Sequence, residues 1–298
     1  MSRIRNKHRS RLNSITMTAA AVTLAMLAGC GIQDKSDEVI VQAASSLEQS
    51  VIPAADKWGQ RSKEAGLFRE ISAYHQMGKA TRLSVDHTVG NIKISAYDGE
   101  EIRVHAVVWF GKSTQQESRQ RILDQAEVSV IDKGELLRIV THPKDEPDSS
   151  LWKWAEKKYG FSDFMIDYEI EVPEVLESYD IRHEVGNIEL HDLKGSYSIH
   201  SEIGQVKLNN VRISGRSSVA TSTGSVDVSI AELSGQGQLN VQTEIGNIHA
   251  ALGDAVECTL VIKNDVGKIT GAAEGTSQIN GGGGEILLQT QVGSIMVE

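Results

Sequence analysis

The chain has 298 residues and a formal net charge of -10, long enough for one or two domains with a real core and too acidic for a nucleic-acid ligand. With 27 Gly, 4 Pro and 5% aromatic residues, it is not composed like a typical enzyme. Abundant Ser, Thr, Gln, Val and Ile instead predict short strands separated by glycine turns.

The first 29 residues carry Arg3, Arg5, Lys7, Arg9 and Arg11, no acidic residue, and then the apolar run ITMTAAAVTLAMLAG. A basic segment followed by an apolar one predicts an export signal over residues 1–29. It ends in LAGC, Leu27 to Cys30, which resembles the lipobox of bacterial lipoproteins, where the cysteine is lipidated and becomes the mature N-terminus. The alternative is a transmembrane anchor, but a span needs roughly 18 to 20 apolar residues, more than this run supplies. The expectation is an exported protein, lipid-anchored through Cys30 to the outer face of the cell membrane or to the outer membrane. Losing the five basic residues of the signal takes the charge from -10 to -15. Cys258 then has no disulfide partner, and its setting, VECTLVI, predicts a buried, inert thiol.

Residues 30–80 are polar and charge-mixed, and read as a tether. Residues 81–176 read as a small β-rich region with one helix. Its strands are expected at Leu83 to Val89, Ile92 to Ala96, Ile102 to Phe110, EVSVID, LLRIVTH and Phe164 to Pro173, with the helix at Ser113 to Ala126, capped by Ser113 or Thr114. An insertion from Pro143 to Asp163 interrupts the alternation.

Residues 177–298 repeat a glycine unit. Gly186, Gly204, Gly224, Gly246, Gly267 and Gly293 are spaced 18, 20, 22, 21 and 26 apart, and Gly90 in TVGNIKI belongs to the same series. A period near 20 marks a solenoid or array. Mostly apolar residues stand seven, five and one before the glycines, then two and mostly four after them. The parity flips at the glycine, which a straight strand cannot do. Gly-Asn, Gly-Gln or Gly-Ser could be the loop of a hairpin in a row of hairpins. Alternatively, the glycine is the corner of a coil whose turns stack in parallel about 4.8 Å apart. Stacking is favoured because it explains why equivalent positions match, including a polar ladder at Ser201, Thr221, Thr243, Asn264 and Thr290. It predicts that Val185 meets Ile203 and that Ile245 meets Val266. The fold expected is all-β: a β-solenoid of roughly six rungs preceded by the β-rich region.

The segments VGNIKISAYDGEEIRVHAVVWF and YEIEVPEVLESYDIRHEVGNIELHDLKG, with the later repeats, resemble the bacterial putative-adhesin family of β-strand-repeat surface proteins. That family has no assigned molecular function, and the resemblance covers roughly residues 80–298. It implies a β-solenoid-like envelope domain without known catalytic residues.

Candidate chemistry is sparse. Glu184, Glu202, Glu244 and Asp265 stand two before the glycine, with Ser222 and Gln291 between them in the series. A cation site would need their oxygens to converge; a solvated, aggregation-resistant face needs only exposure. His87, His183, His191, His200 and His249 lack metal-site spacing, and exposed or strand-facing rings are expected. No metal or cofactor is expected, and GGGGE at Gly281 lacks the Lys of a phosphate loop. Trp152, Trp154, Tyr159, Phe161 and Phe164 hold five of fourteen aromatics in thirteen residues. They are candidate partner-binding residues beside Lys153, Lys157 and Lys158; the alternative is that they cap the open end of the core. The functional expectation is a non-catalytic, adhesin-like envelope module touching the membrane through its lipid, with an envelope protein or glycan as candidate partner. Its alternatives are a regulatory accessory lipoprotein with a membrane partner and a carbohydrate-active β-helix enzyme.

Overall fold

The computed structural model describes residues 66–112 and 116–298. The expected export signal, Cys30, most of the tether and the expected helix cap at Ser113 or Thr114 lie outside the described residues.

Strands, numbered in chain order, form two sheets. Neighbour to neighbour, the first contains β5 (Ala126–Asp132), β6 (Leu136–Pro143), β2 (Arg82–Val89), β8 (Ser178–Val185), β10 (Lys194–Ile203), β12 (Arg216–Thr223), β14 (Gln238–Ile245), β19 (Gly284–Val292), β16 (Cys258–Val266) and β18 (Gly275–Ile279). The second contains β1 (Leu67–Gln76), β4 (Glu101–Phe110), β7 (Phe164–Pro173), β3 (Ile92–Tyr97), β9 (Ile188–His191), β11 (Val206–Ile213), β13 (Val226–Leu233), β15 (Ile248–Leu252), β20 (Ile295–Val297) and β17 (Ile269–Thr270). The central pairings are parallel, and antiparallel pairs close the ends, at β5–β6, β1–β4, β4–β7 and β16–β18. This is the coil and not the hairpin row: Val185 pairs with Ile203.

The glycines make the corners. Gly186, Gly204, Gly224 and Gly246 have φ between +133° and +151°, a region other residues rarely occupy. A Cβ on Gly224 would fall onto the carbonyl oxygen of Gly204, and one on Gly246 onto that of Gly224. Hydrogen bonds cross each step, from Gly204 N to Thr223 O at 3.0 Å and from Gly224 N to Ile245 O at 2.9 Å. Removing the side chain at this one position therefore lets neighbouring turns touch backbone to backbone. It also resets the pleat, so the residues two and four after the glycine point inward again. Ile181, Ile199, Val219 and Val241 form one inward column, and Ile188, Val206, Val226 and Ile248 form another, all at most 2% exposed.

Three features differ from the reading of the sequence. Ile245 does not meet Val266; both pair with Val292, because β19 and β20 insert between β14–β15 and β16–β17. The chain skips one rung between Leu252 and Cys258, and the long spacing from Gly267 to Gly293 holds β18 and the Gly281–Gly284 run, which bring it back to fill that rung with β19 and β20. Second, the coil begins before residue 177. β2 and β3, joined at Gly90, are a full rung paired to β8 and β9, and β6 and β7 are another, paired to β2 and β3. The β-rich region and the solenoid thus share one continuous core. Third, Leu67–Gln76, at the end of the expected tether, is a ten-residue strand paired along its length with β4.

The expected helix is α1 (Gln116–Gln125), with Ile122 and Leu123 buried. A second helix, α2 (Leu151–Tyr159), lies in the insertion, where none was expected. Ser150 accepts a hydrogen bond from Lys153 N, and Gly160 at φ 76° ends the helix with its N–H on Glu156 O, the cap chemistry of a regular short helix.

Candidate functional site

The insertion occupies the corner of the rung formed by β6 and β7, where the other rungs have two residues. Trp152, Trp154 and Phe164 are buried, and Tyr159 and Phe161 are partly buried against the core. Trp152 stacks on Phe164 at 5.7 Å and donates its indole N–H to the Phe164 carbonyl at 3.2 Å. Trp154 meets Tyr159 edge-on at 5.6 Å, with the Lys158 ammonium 4.7 Å from its centroid. These aromatics cover the end of the core. They do not form an exposed patch, because a corner built from twenty residues leaves a gap that only large side chains fill.

The position three before the glycine is an internal polar column. In spatial order it holds His87, His183, Ser201, Thr221, Thr243, Thr290 and Asn264. The corner leaves the glycine carbonyl without a strand partner, and the column supplies donors: Thr243 Oγ1 to Gly224 O at 3.0 Å, Thr290 Oγ1 to Gly246 O at 3.0 Å and Asn264 Nδ2 to Gly293 O at 3.2 Å. The expected polar ladder is therefore real, but it includes two histidines that were read as exposed or strand-facing. His87 and His183 are 1% and 2% exposed.

Outward columns carry the chemistry available to a partner. On the first sheet, Ser222 separates Glu202 from Glu244 and Gln291 separates Glu244 from Asp265. Glu184 and Glu202 are neighbours on adjacent strands, but the rest of the series is interrupted, and no group of three metal-ligating side chains occurs among the described residues. Ser222 Oγ donates to Glu202 Oε2 at 3.4 Å, and His200 Nε2 lies 3.0 Å from Glu202 Oε1. Beside this column the face is neutral: Ser198, Ser218 and Asn240 form one row, and Ala220, Gln242 and Gln289 the next. The short Ala220 side chain leaves a groove of ≈ 150 Å³ between His200, Ser222, Gln242 and Gln289.

The second sheet's face is built differently. Glu169, Lys93, Glu189, Lys207, Asp227 and His249 are successive neighbours across the strands. The charges alternate from Glu169 to Asp227, with Lys93 3.1 Å from Glu169, and His249 Nδ1 lies 3.5 Å from Asp227. Opposite charges on directly facing residues stabilise a sheet modestly. The sequence hides this ladder because directly facing members lie as far apart as Lys93 and Glu189. Cys258 is buried and unpaired, and burial pushes its thiol up.

This arrangement of glycine corners and stacked rungs has a family counterpart. Residues 167–287 match the Toastrack DUF4097 family. The match runs from β7 into β19 and so covers the glycine repeats from Gly186 to Gly267. Among solved structures, the chain is similar to a putative cell adhesion protein from Clostridium sporogenes, at 14% identity over 78% of this chain and 99% of that one, with a TM-score of 0.42. It is also similar to a putative adhesin from Bacteroides fragilis, at 14% identity over 77% and 97% with a TM-score of 0.35. A putative lipid binding protein from Parabacteroides distasonis is similar at 13% identity over 80% and 98%, with a TM-score of 0.34. No curated protein matches the chain.

Proposed function

We propose that this protein is an exported, lipid-anchored, adhesin-like module of the cell envelope that works by binding and not by catalysis. Cys30 in LAGC is the anchor, and the residues after it raise the stacked rungs from the membrane. The observation that carries the reading is the neutral face of the first sheet. Ser198, Ser218, Asn240, Ala220, Gln242 and Gln289 lie in register on parallel strands, so hydroxyl and amide groups repeat at the strand spacing of about 4.8 Å on a rigid support. Such a face suits a neutral, hydroxyl-rich envelope glycan, which needs many aligned hydrogen bonds and no charge. On the second sheet the corresponding row from Glu169 to Asp227 is charged.

Two experiments test it. Radiolabelled palmitate should enter the wild-type chain and not Cys30→Ser, and the variant should leave the membrane fraction; equal labelling removes the anchor. Binding of the purified chain to isolated envelope polysaccharide should fall at least tenfold in Ser218→Arg/Gln242→Arg and stay unchanged in Glu189→Arg on the opposite sheet. Equal effects of the two variants would reject the neutral face as the binding surface.

A further inference from the structure

His87 and His183 occupy adjacent rungs at a position where the rest of the column holds Ser, Thr or Asn. Their ring centroids are 5.0 Å apart. Trp152 of α2 meets His87 edge-on at 5.2 Å and Tyr168 of β7 lies 5.1 Å away. His87 Nε2 donates to Ile166 O at 2.7 Å, leaving Nδ1 without a partner. His183 faces the backbone of Gly90 and Val185, but neither of its nitrogens makes a hydrogen bond of ordinary geometry. Two imidazoles are thus buried against each other, against an indole and against a phenol.

Among the described residues, no acidic side chain faces them. On β2 and β8, Asp86, Arg182 and Glu184 are exposed on the opposite face; on β7, Glu169 is exposed and Asp167 half-buried on the outer face. On α2, Lys153, Glu156, Lys157 and Lys158 are exposed, and on β6 Arg138 is exposed. His142 of β6 is held by Ser129 Oγ at 2.8 Å and by its contact with Pro143 O. Neighbouring Ser201 of β10 is uncharged. Tyr168 is the one titratable side chain touching the pair; burial pushes its phenol up to about 12, and it shares a hydrogen bond with Thr141. A proton on either ring would be a buried, unpaired cation.

We propose that the His87–His183 pair is an acid-sensitive latch: protonation opens the rung corner beneath α2 and frees the Trp152 cap while the distal rungs stay closed. Repeat architectures permit such local opening, since each rung touches only its neighbours. Burial holds both rings well below the ordinary histidine range, His183 down to about 4 from 6.5. The neutral pair is therefore fully stabilising above about pH 6.5, and that stabilisation is lost as the pH falls toward 4. From His183 alone, the opening equilibrium rises about 30-fold between pH 7.5 and pH 5.

Hydrogen exchange of the full chain, corrected for the intrinsic pH dependence, tests this. Peptides from β2, β8 and α2 should lose protection at least about 30-fold from pH 7.5 to pH 5, while those from β12 to β15 keep theirs. His183→Thr, which installs the residue type of Thr221 and Thr243, should remove the about 30-fold share of His183 and leave that of His87. His87→Asn/His183→Thr should abolish it. Uniform loosening along the chain, or a wild-type response in His183→Thr, would overturn the latch. Should the double variant fail to fold, the single variant decides alone.

Discussion

Gly224→Ala isolates the cost of the corner. Gly224 sits at φ 148°, and an alanine there accepts a left-handed penalty of about 1–2 kcal/mol. The larger cost is spatial. The new Cβ would land on the Gly204 carbonyl oxygen, so the two rungs must part by more than an ångström. Parting them breaks the bond from Gly204 N to Thr223 O, at 3.0 Å, and from Val206 N to Ser225 O, at 3.0 Å, each contributing about 1 kcal/mol. The expected destabilisation is about 3–5 kcal/mol, a large share of a domain's roughly 5–15 kcal/mol. Gly160→Ala is the matched control, since Gly160 has φ 76° and open space at its Cβ, and should cost only about 1 kcal/mol. Urea unfolding followed by circular dichroism compares them. If the two variants differ by less than about 0.5 kcal/mol, the backbone-to-backbone approach at the corner is refuted.

Other substitutions probe the remaining parts of the account. Trp152→Ala should destabilise by about 3–5 kcal/mol through the cavity beside Phe164 and His87, measured by the same unfolding, while leaving polysaccharide binding of the folded fraction unchanged. Thr243→Val should cost about 1–3 kcal/mol, because buried Gly224 O loses the Thr243 hydroxyl donor; a neutral result in thermal unfolding would remove the polar column from the fold's stability. Cys258 should react with a thiol reagent only on unfolding, at least a hundredfold more slowly in native buffer than in urea, in a Cys30→Ser background.

Much of the coil was legible because its two rules are local. The parity flip around Gly186 or Gly204 states that the strand turns there, and the matching residues at Ile181, Ile199, Val219 and Val241 state that turns stack. The order of the rungs was not legible. Repeats with the same inward pattern can neighbour one another in any sequence, so nothing in the β14, β16 and β19 patterns says which two are adjacent; only the long interval after Gly267 hinted at a detour. The first strand was missed because Leu67–Gln76 is an edge strand. It has one exposed face, Phe68 and Tyr74 among it, and so lacks a clean burial signal. The aromatic insertion read equally well as a surface patch or as a cap, since Trp and Phe serve both, and the missing corner between β6 and β7 decides it. For His87 and His183 the sequence predicts exposed or strand-facing rings because a polar residue inside a strand pattern reads as outward, whereas the glycine corner creates an inward demand for donors.

The rung order is the claim on which the rest stands, and cysteine cross-linking measures it directly. Gln242 is the register partner of Gln289, and Gln289 of Lys263, all on the outer face of the first sheet. In a background of Cys30→Ser and Cys258→Ser, mild oxidation of Gln242→Cys/Gln289→Cys should form an intramolecular disulfide rapidly, since adjacent parallel strands bring the Cα atoms to about 5 Å. Gln242→Cys/Lys263→Cys should stay reduced, with one strand between the two. Efficient cross-linking of residues 242 and 263, with none between 242 and 289, would place the rungs in chain order and contradict the structure described.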